Sequence, residues 1–64
     1  MKVELTLREL DVIKELCTGK SNEEIAVALS ISVNTVKTHL QRSCKKTSSK
    51  NRTALVVKYL HKGE

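Results

Sequence analysis

Ser32-Val-Asn-Thr-Val-Lys-Thr-His-Leu40 is the stretch whose reading decides the fold. Val33, Val36 and Leu40 fall at the i, i+3, i+7 spacing of an apolar stripe on a helix, and Ser32 in front of them is a residue type that caps one. Asn34, Lys37, Thr38 and Gln41 recur at the same spacing on another side. All four carry side chains that hydrogen-bond phosphates or base edges. One face for a core and one for a polyanion's groove is the layout of a recognition helix.

The residues upstream make that layout more than an accident. Ser21-Asn-Glu-Glu24 reads as a capping box, the Ser21 hydroxyl accepting a free backbone N–H and Glu24 reaching back to the Ser21 N–H. It opens a short helix through Ile25, Ala26 and Leu29, and Leu29-Ser30-Ile31-Ser32 leaves room only for a tight turn before the next cap. Two helices joined by about three or four residues have the length of a helix-turn-helix. Ala26 and Ala28 are small where two such helices cross closely.

Charge follows the same division. The chain has 64 residues and a net charge of +5. Residues 1–31 hold four basic against six acidic side chains, whereas residues 32–64 hold eight basic against Glu64 alone, a local net of +7. The positive field therefore begins at Ser32, as expected of a polyanion binder. A single domain spanning residues 1–64 lies near the lower limit for independent folding and has no core to spare for a deep catalytic cleft.

Other chemistries find no residues to carry them. No nucleophile–base pair, glycine-rich phosphate loop or metal cluster can be assembled, so neither an enzyme nor a cofactor or metal is expected. Cys17 and Cys44 are 27 positions apart with no paired His spacing, and they read as small packing residues. His39 has no carboxylate or serine partner at a defined spacing, and reads as a packing residue or one bonded to backbone. Glu9 and Arg8 are explained by a cap and a structural ion pair to another helix. No apolar run approaches the ~20 residues that span a bilayer, and the N-terminus lacks the core of a signal peptide, which predicts a cytoplasmic, nucleoid-associated protein.

The expected architecture is all-α: a compact four-helix domain with a helix-turn-helix in helices two and three and a short fourth helix. Thr6-Leu-Arg-Glu9 is a second capping box, with Leu5 placed to staple against Leu10. The first helix runs from about Leu7 to Thr18, turns Leu10, Ile13, Leu16 and Cys17 inward, and ends at Gly19. The second covers about Asn22 to Leu29 and the third about Val33 to Lys46. After the polar Thr47-Ser-Ser-Lys-Asn51, a last helix from Arg52 to His61 offers Leu55, Val56, Tyr59 and Leu60 on one side.

These blocks, Leu5-Thr6-x-Arg8-Glu9, Gly19-Lys20-Ser21-Asn22-x-Glu24-Ile25-Ala26, Ile31-Ser32-x-x-Thr35-Val36-Lys37-Thr38-His39-Leu40 and Arg52-Thr53, resemble in order and gaps the LuxR/GerE-type domain of bacterial transcription regulators. The resemblance covers nearly the whole chain. It implies a four-helix fold that binds double-stranded DNA through the third helix and pairs through the fourth. Carried over by position, Lys37, Thr38 and Gln41 face base edges, with Thr35 and Arg52 near phosphate. Ser32, Asn34, Lys45 and Lys46 are added as phosphate contacts by their place on or beside the same helix.

One region departs from the family pattern. Where the family has an Ile and later Leu-Gly-Val, this chain has Ser43 and Thr47-Ser48-Ser49. Each missing apolar contact would have contributed roughly 1.5–3 kcal/mol, which predicts a loosely packed end to the third helix, with Cys44 turning inward and Ser48 or Ser49 making the turn. The same polar replacements favour the alternative, a protein-interaction module that keeps the fold without binding DNA. An RNA-binding role is disfavoured because Tyr59 is the only aromatic and offers no stacking platform.

Val56, Tyr59 and Leu60 read either as core or as a dimer face. In the second case, two copies pair weakly on DNA and set two recognition helices about one duplex turn apart, ~34 Å, on an inverted-repeat operator. RNA polymerase is a further candidate partner.

Overall fold

The computed structural model describes residues 4–61. Four helices account for its regular structure, with no strand among the described residues: α1 (Leu7–Cys17), α2 (Asn22–Leu29), α3 (Val33–Thr47) and α4 (Arg52–Leu60). The fold is all-α, and the expected boundaries fall within one residue of those observed.

Each helix begins on a side chain that accepts a backbone N–H from the first turn. Thr6 accepts from Glu9 N at 3.1 Å and Ser21 from Glu24 N at 3.2 Å, while Glu9 and Glu24 each return a carboxylate to the cap N–H at 2.8 Å. In α3 the place of that glutamate is taken by Thr35, whose hydroxyl shares a 2.8 Å hydrogen bond with Ser32 Oγ. The third helix is thereby capped without an acid in its first turn. Asn51 caps α4 by accepting from Ala54 N at 2.9 Å.

The helix ends use the left-handed backbone. Gly19, at φ 87°, follows α1, and Ser30 and Ser48, at φ 57° and 56°, end α2 and α3. Ile31 N–H returns to Ala26 O at 3.0 Å and Ser49 N–H to Cys44 O at 2.8 Å, the six-to-one bond of a Schellman close in both cases.

The core is built by all four helices: Val12, Ile13 and Leu16 from α1, Ile25 and Ala26 from α2, Val36 and Leu40 from α3, and Leu55 from α4. α1 and α3 each pack against every other helix, whereas α2 and α4 lie on opposite sides and do not touch. Leu5, Ile31, Val33, Cys17 and Cys44 pack half-buried around this centre, and both cysteines are free thiols. Burial raises the Cys17 thiol above its ordinary pKa, which disfavours the thiolate form.

Four expectations are corrected. Val12, not Leu10, fills the centre of the α1 face; the buried set is Glu9, Val12, Ile13 and Leu16. Ala28 is exposed, so only Ala26 serves the close helix crossing. Leu60 points outward at 61% exposure and does not share the side of Leu55. The end of α3 is not loose: Ser43 is completely buried and donates to His39 O at 2.7 Å, and Thr47 donates to Ser43 O at 2.8 Å. Small polar groups that satisfy themselves on the helix's own carbonyls replace the apolar contacts.

Candidate nucleic-acid interface

Packing α3 by Val36, Leu40 and Ser43 settles which of its residues remain outside. Asn34, Lys37, Thr38, Gln41, Arg42 and Lys45 are all exposed, and they share the face opposite the buried stripe. No acidic residue occurs anywhere in α3. A continuous exposed strip of donors and cations, free of carboxylates, is thus presented by a helix packed from behind against the core.

The expected site residues do not all have the same freedom. Lys37, Gln41, Arg42, Lys45 and Arg52 have no side-chain partner among the described residues. Thr38 donates its hydroxyl proton to Asn34 O at 3.0 Å, leaving an acceptor oxygen and a methyl group to a ligand. Ser32 and Thr35 are engaged with each other at the N-cap. Lys46 is brought elsewhere: its ammonium lies 2.7 Å from Glu9 Oε1, across the interface with α1.

That pair governs the electrostatics behind the strip. Burial would raise the Glu9 carboxyl, but the hydrogen bond from Lys46, the Thr6 N–H and the charge of Lys46 outweigh it and hold the group below the ordinary carboxylate range. Lys58 is also committed, donating to Thr47 O and, at 3.0 Å, to Ser48 O, where the α3 dipole ends in free carbonyls. Lys20 pairs with Glu15 at 2.8 Å. His39 is half-buried with its Nδ1 unpartnered, and takes part through its backbone carbonyl.

Arg42 and Lys50 were not singled out by sequence reasoning. Arg42 follows Thr38 by four positions, so the i, i+4 rule that selected the other strip residues could have found it. Lys50 lies exposed in the turn next to Arg52.

The expected dimer residues divide. Val56 and Tyr59 are half-buried against the core, whereas Leu60 is exposed together with Val57 at 49% and, on α1, Leu7 at 82%. A groove of about 450 Å3 lined by Leu7, Leu10, Asp11, Lys14, Tyr59 and Leu60 runs between α1 and α4. Among the described residues no helix is long and apolar enough to cross a membrane, and no group of three potential metal ligands occurs.

A short left-handed turn between two capped helices, the second with an acid-free exposed strip, defines a helix-turn-helix domain. The chain belongs to the luxR family of bacterial regulatory proteins, whose sequence profile matches residues 3–59. It is 48% identical over 64 residues to an uncharacterized transcriptional regulatory protein, YhcZ, of Bacillus subtilis, covering 95% of this chain and 30% of that protein. It is 45% identical over 56 residues to the nitrate/nitrite response regulator protein NarP of Escherichia coli, covering 88% and 26%. The CsgBAC operon transcriptional regulatory protein of Escherichia coli is 54% identical over 52 residues, covering 81% and 24%. The chain thus spans only 24–30% of the length of these relatives.

Proposed function

We propose that the chain binds double-stranded DNA sequence-specifically and regulates transcription, laying α3 in the major groove. The observation that carries this reading is the exposed strip Asn34, Lys37, Thr38, Gln41, Arg42 and Lys45, free of acids and with its cations unpaired among the described residues. Lys37, Thr38 and Gln41 read base edges, Thr38 through its methyl group and acceptor oxygen. Asn34, Lys45 and Arg52 contact phosphates, and Ser32 and Thr35 do so from the N-cap, where free N–H groups and the helix dipole favour an anion. The relatives' regulatory names and the family membership support the reading.

Two copies pair weakly on an inverted-repeat operator through α4, by Tyr59 and Leu60 with Val57 and Leu7 beside them. Four side chains fall well short of the roughly 20–30 residues a side of a stable interface, so pairing depends on DNA. The protein acts in the cytoplasm, with RNA polymerase as a further partner. The interaction-module alternative loses its main ground, because the polar residues after Ser43 are satisfied within the fold.

A fluorescence titration tests the reading. Affinity for duplex DNA falls with salt at a log–log slope of about −0.9 per phosphate contacted. Lys37→Ala and Gln41→Ala each reduce discrimination between a selected site and random DNA by about 1–3 kcal/mol, while Arg52→Ala and Lys45→Ala weaken both together. A flat salt response, or an unchanged ratio in Lys37→Ala, overturns it.

A further inference from the structure

Glu9 is the only buried charged residue among those described, 2% exposed, and its Oε1 accepts two hydrogen bonds, from Thr6 N at 2.8 Å and from Lys46 Nζ at 2.7 Å. Lys46 lies 37 positions further on, in the last turn of α3, with its side chain 26% exposed. No other side-chain hydrogen bond or ion pair joins α1 to α3 among the described residues. Otherwise the two helices meet through packing centred on the apolar Val12, Ile13, Leu16, Val36 and Leu40, while Lys58 of α4 holds only the last carbonyls of α3.

Those two kinds of contact constrain different things. Apolar burial is non-directional, so it presses α3 onto α1 while leaving its roll about its own axis weakly specified. A charge-assisted hydrogen bond is short and directional. Glu9 cannot follow a moving partner, because the same oxygen is held by the cap of its own helix. With side chains reaching about 5–6 Å from the helix axis, a roll of ~20° displaces the exposed groups by about 2 Å. Such a shift is enough to break a hydrogen bond to a base edge.

We infer that the Glu9–Lys46 pair fixes the roll of α3 and so the aim of Lys37, Thr38 and Gln41, making Lys46 a positioning residue for sequence discrimination rather than a phosphate contact. The inference rests on the DNA-binding reading above. Under it, Lys46 is cationic but adds nothing to the salt dependence of binding, since its charge is already neutralised by Glu9.

The test uses the 64-residue chain, a duplex site selected from a random library, and random duplex, titrated over salt well below the melting temperature of each variant. Lys46→Met and Glu9→Gln are expected to lower the selected-to-random affinity ratio about tenfold. Lys46→Met leaves the salt slope on random DNA unchanged, and Lys46→Arg keeps the ratio. Leu55→Val, a core change on α4 that leaves both members of the pair in place, destabilises without lowering the ratio. The inference is overturned if Lys46→Met weakens both duplexes equally with the slope reduced by about 0.9, the signature of a lost phosphate contact. It is overturned equally if the ratio survives in Lys46→Met, or if Leu55→Val lowers it as much. A wild-type ratio of one overturns the DNA-binding reading itself, and this inference with it.

Discussion

The turn that leads into α3 and the turn that leaves it have the same backbone and opposite chemistry. Ser30 and Ser48 both stand at φ near 57°, and both are followed by a residue whose N–H closes back on the helix. After Ser30 that residue is Ile31, which packs against the core. After Ser48 it is Ser49, whose hydroxyl shares a 2.6 Å hydrogen bond with Thr47, while Lys58 holds the final carbonyls from α4. The entry is locked by apolar burial, and the exit by polar groups and charge. The same local geometry can therefore be held by forces that respond differently to truncation, acid and salt.

Truncation should separate the two ends most. Ile31→Ala removes apolar surface from the entry, and for a half-buried isoleucine the cost is about 2 kcal/mol, at the low end for such a change. Ser49→Ala at the exit removes one side-chain hydrogen bond that water can replace, costing about 0.5–1 kcal/mol. Urea unfolding monitored by circular dichroism measures both. Equal losses would mean that the exit depends on packing as much as the entry.

This contrast also marks what could be read from the sequence. Caps and the short α2–α3 turn were legible because Ser21, Glu24 and Ser32 act within three or four residues, the range over which local pattern works. Val12 was missed because the buried stripe of α1 begins at Glu9, a residue that goes inside only with a partner 37 positions away. The order of α3 up to Thr47 was missed for a similar reason, since Lys58 closes its end from a different helix. In α4, Leu55, Val56, Val57, Tyr59 and Leu60 are apolar nearly all round, so packing on α1 and α3 decides that Val57 and Leu60 stay outside. On α3 the exposed strip was mostly legible from spacing, while Lys46 could be separated from it only once Glu9 was seen beside it.

Acid should act on the end of α3 near Lys46 and spare the entry. Glu9 is held below its ordinary pKa in the folded chain. Its stabilising contribution is therefore complete above the normal carboxylate range, and is lost as pH falls through that range toward the lower folded value. Lys46 is partly solvated, so breaking the pair costs less than the 3–5 kcal/mol of a fully buried one, about 1–2 kcal/mol. Thermal melts from neutral pH downward should show this loss in the parent chain and a weaker dependence in Glu9→Gln. Ile31→Ala should shift the whole curve without changing its shape. If Glu9→Gln kept the full acid dependence, another carboxylate would be responsible.

The smallest effect tests whether the two left-handed serines are equivalent once their surroundings are set aside. A non-glycine residue at positive φ is strained by about 1–2 kcal/mol, whereas glycine relieves that strain but loses more conformational freedom on folding, by about 0.5–1 kcal/mol. Ser30→Gly and Ser48→Gly should therefore each stabilise the chain by about 0.5 kcal/mol, and by the same amount. Neither serine hydroxyl makes a hydrogen bond among the described residues, so the substitution removes no partner. Gly19 occupies the matching position after α1 at φ 87°, with open space around it. A gain at Ser48 but none at Ser30 would show that the exit alone carries strain, with Lys58 holding a turn that would otherwise open. Combining Ser48→Gly with Lys58→Met decides between these, because relief of a strained, clamped turn makes the two changes non-additive.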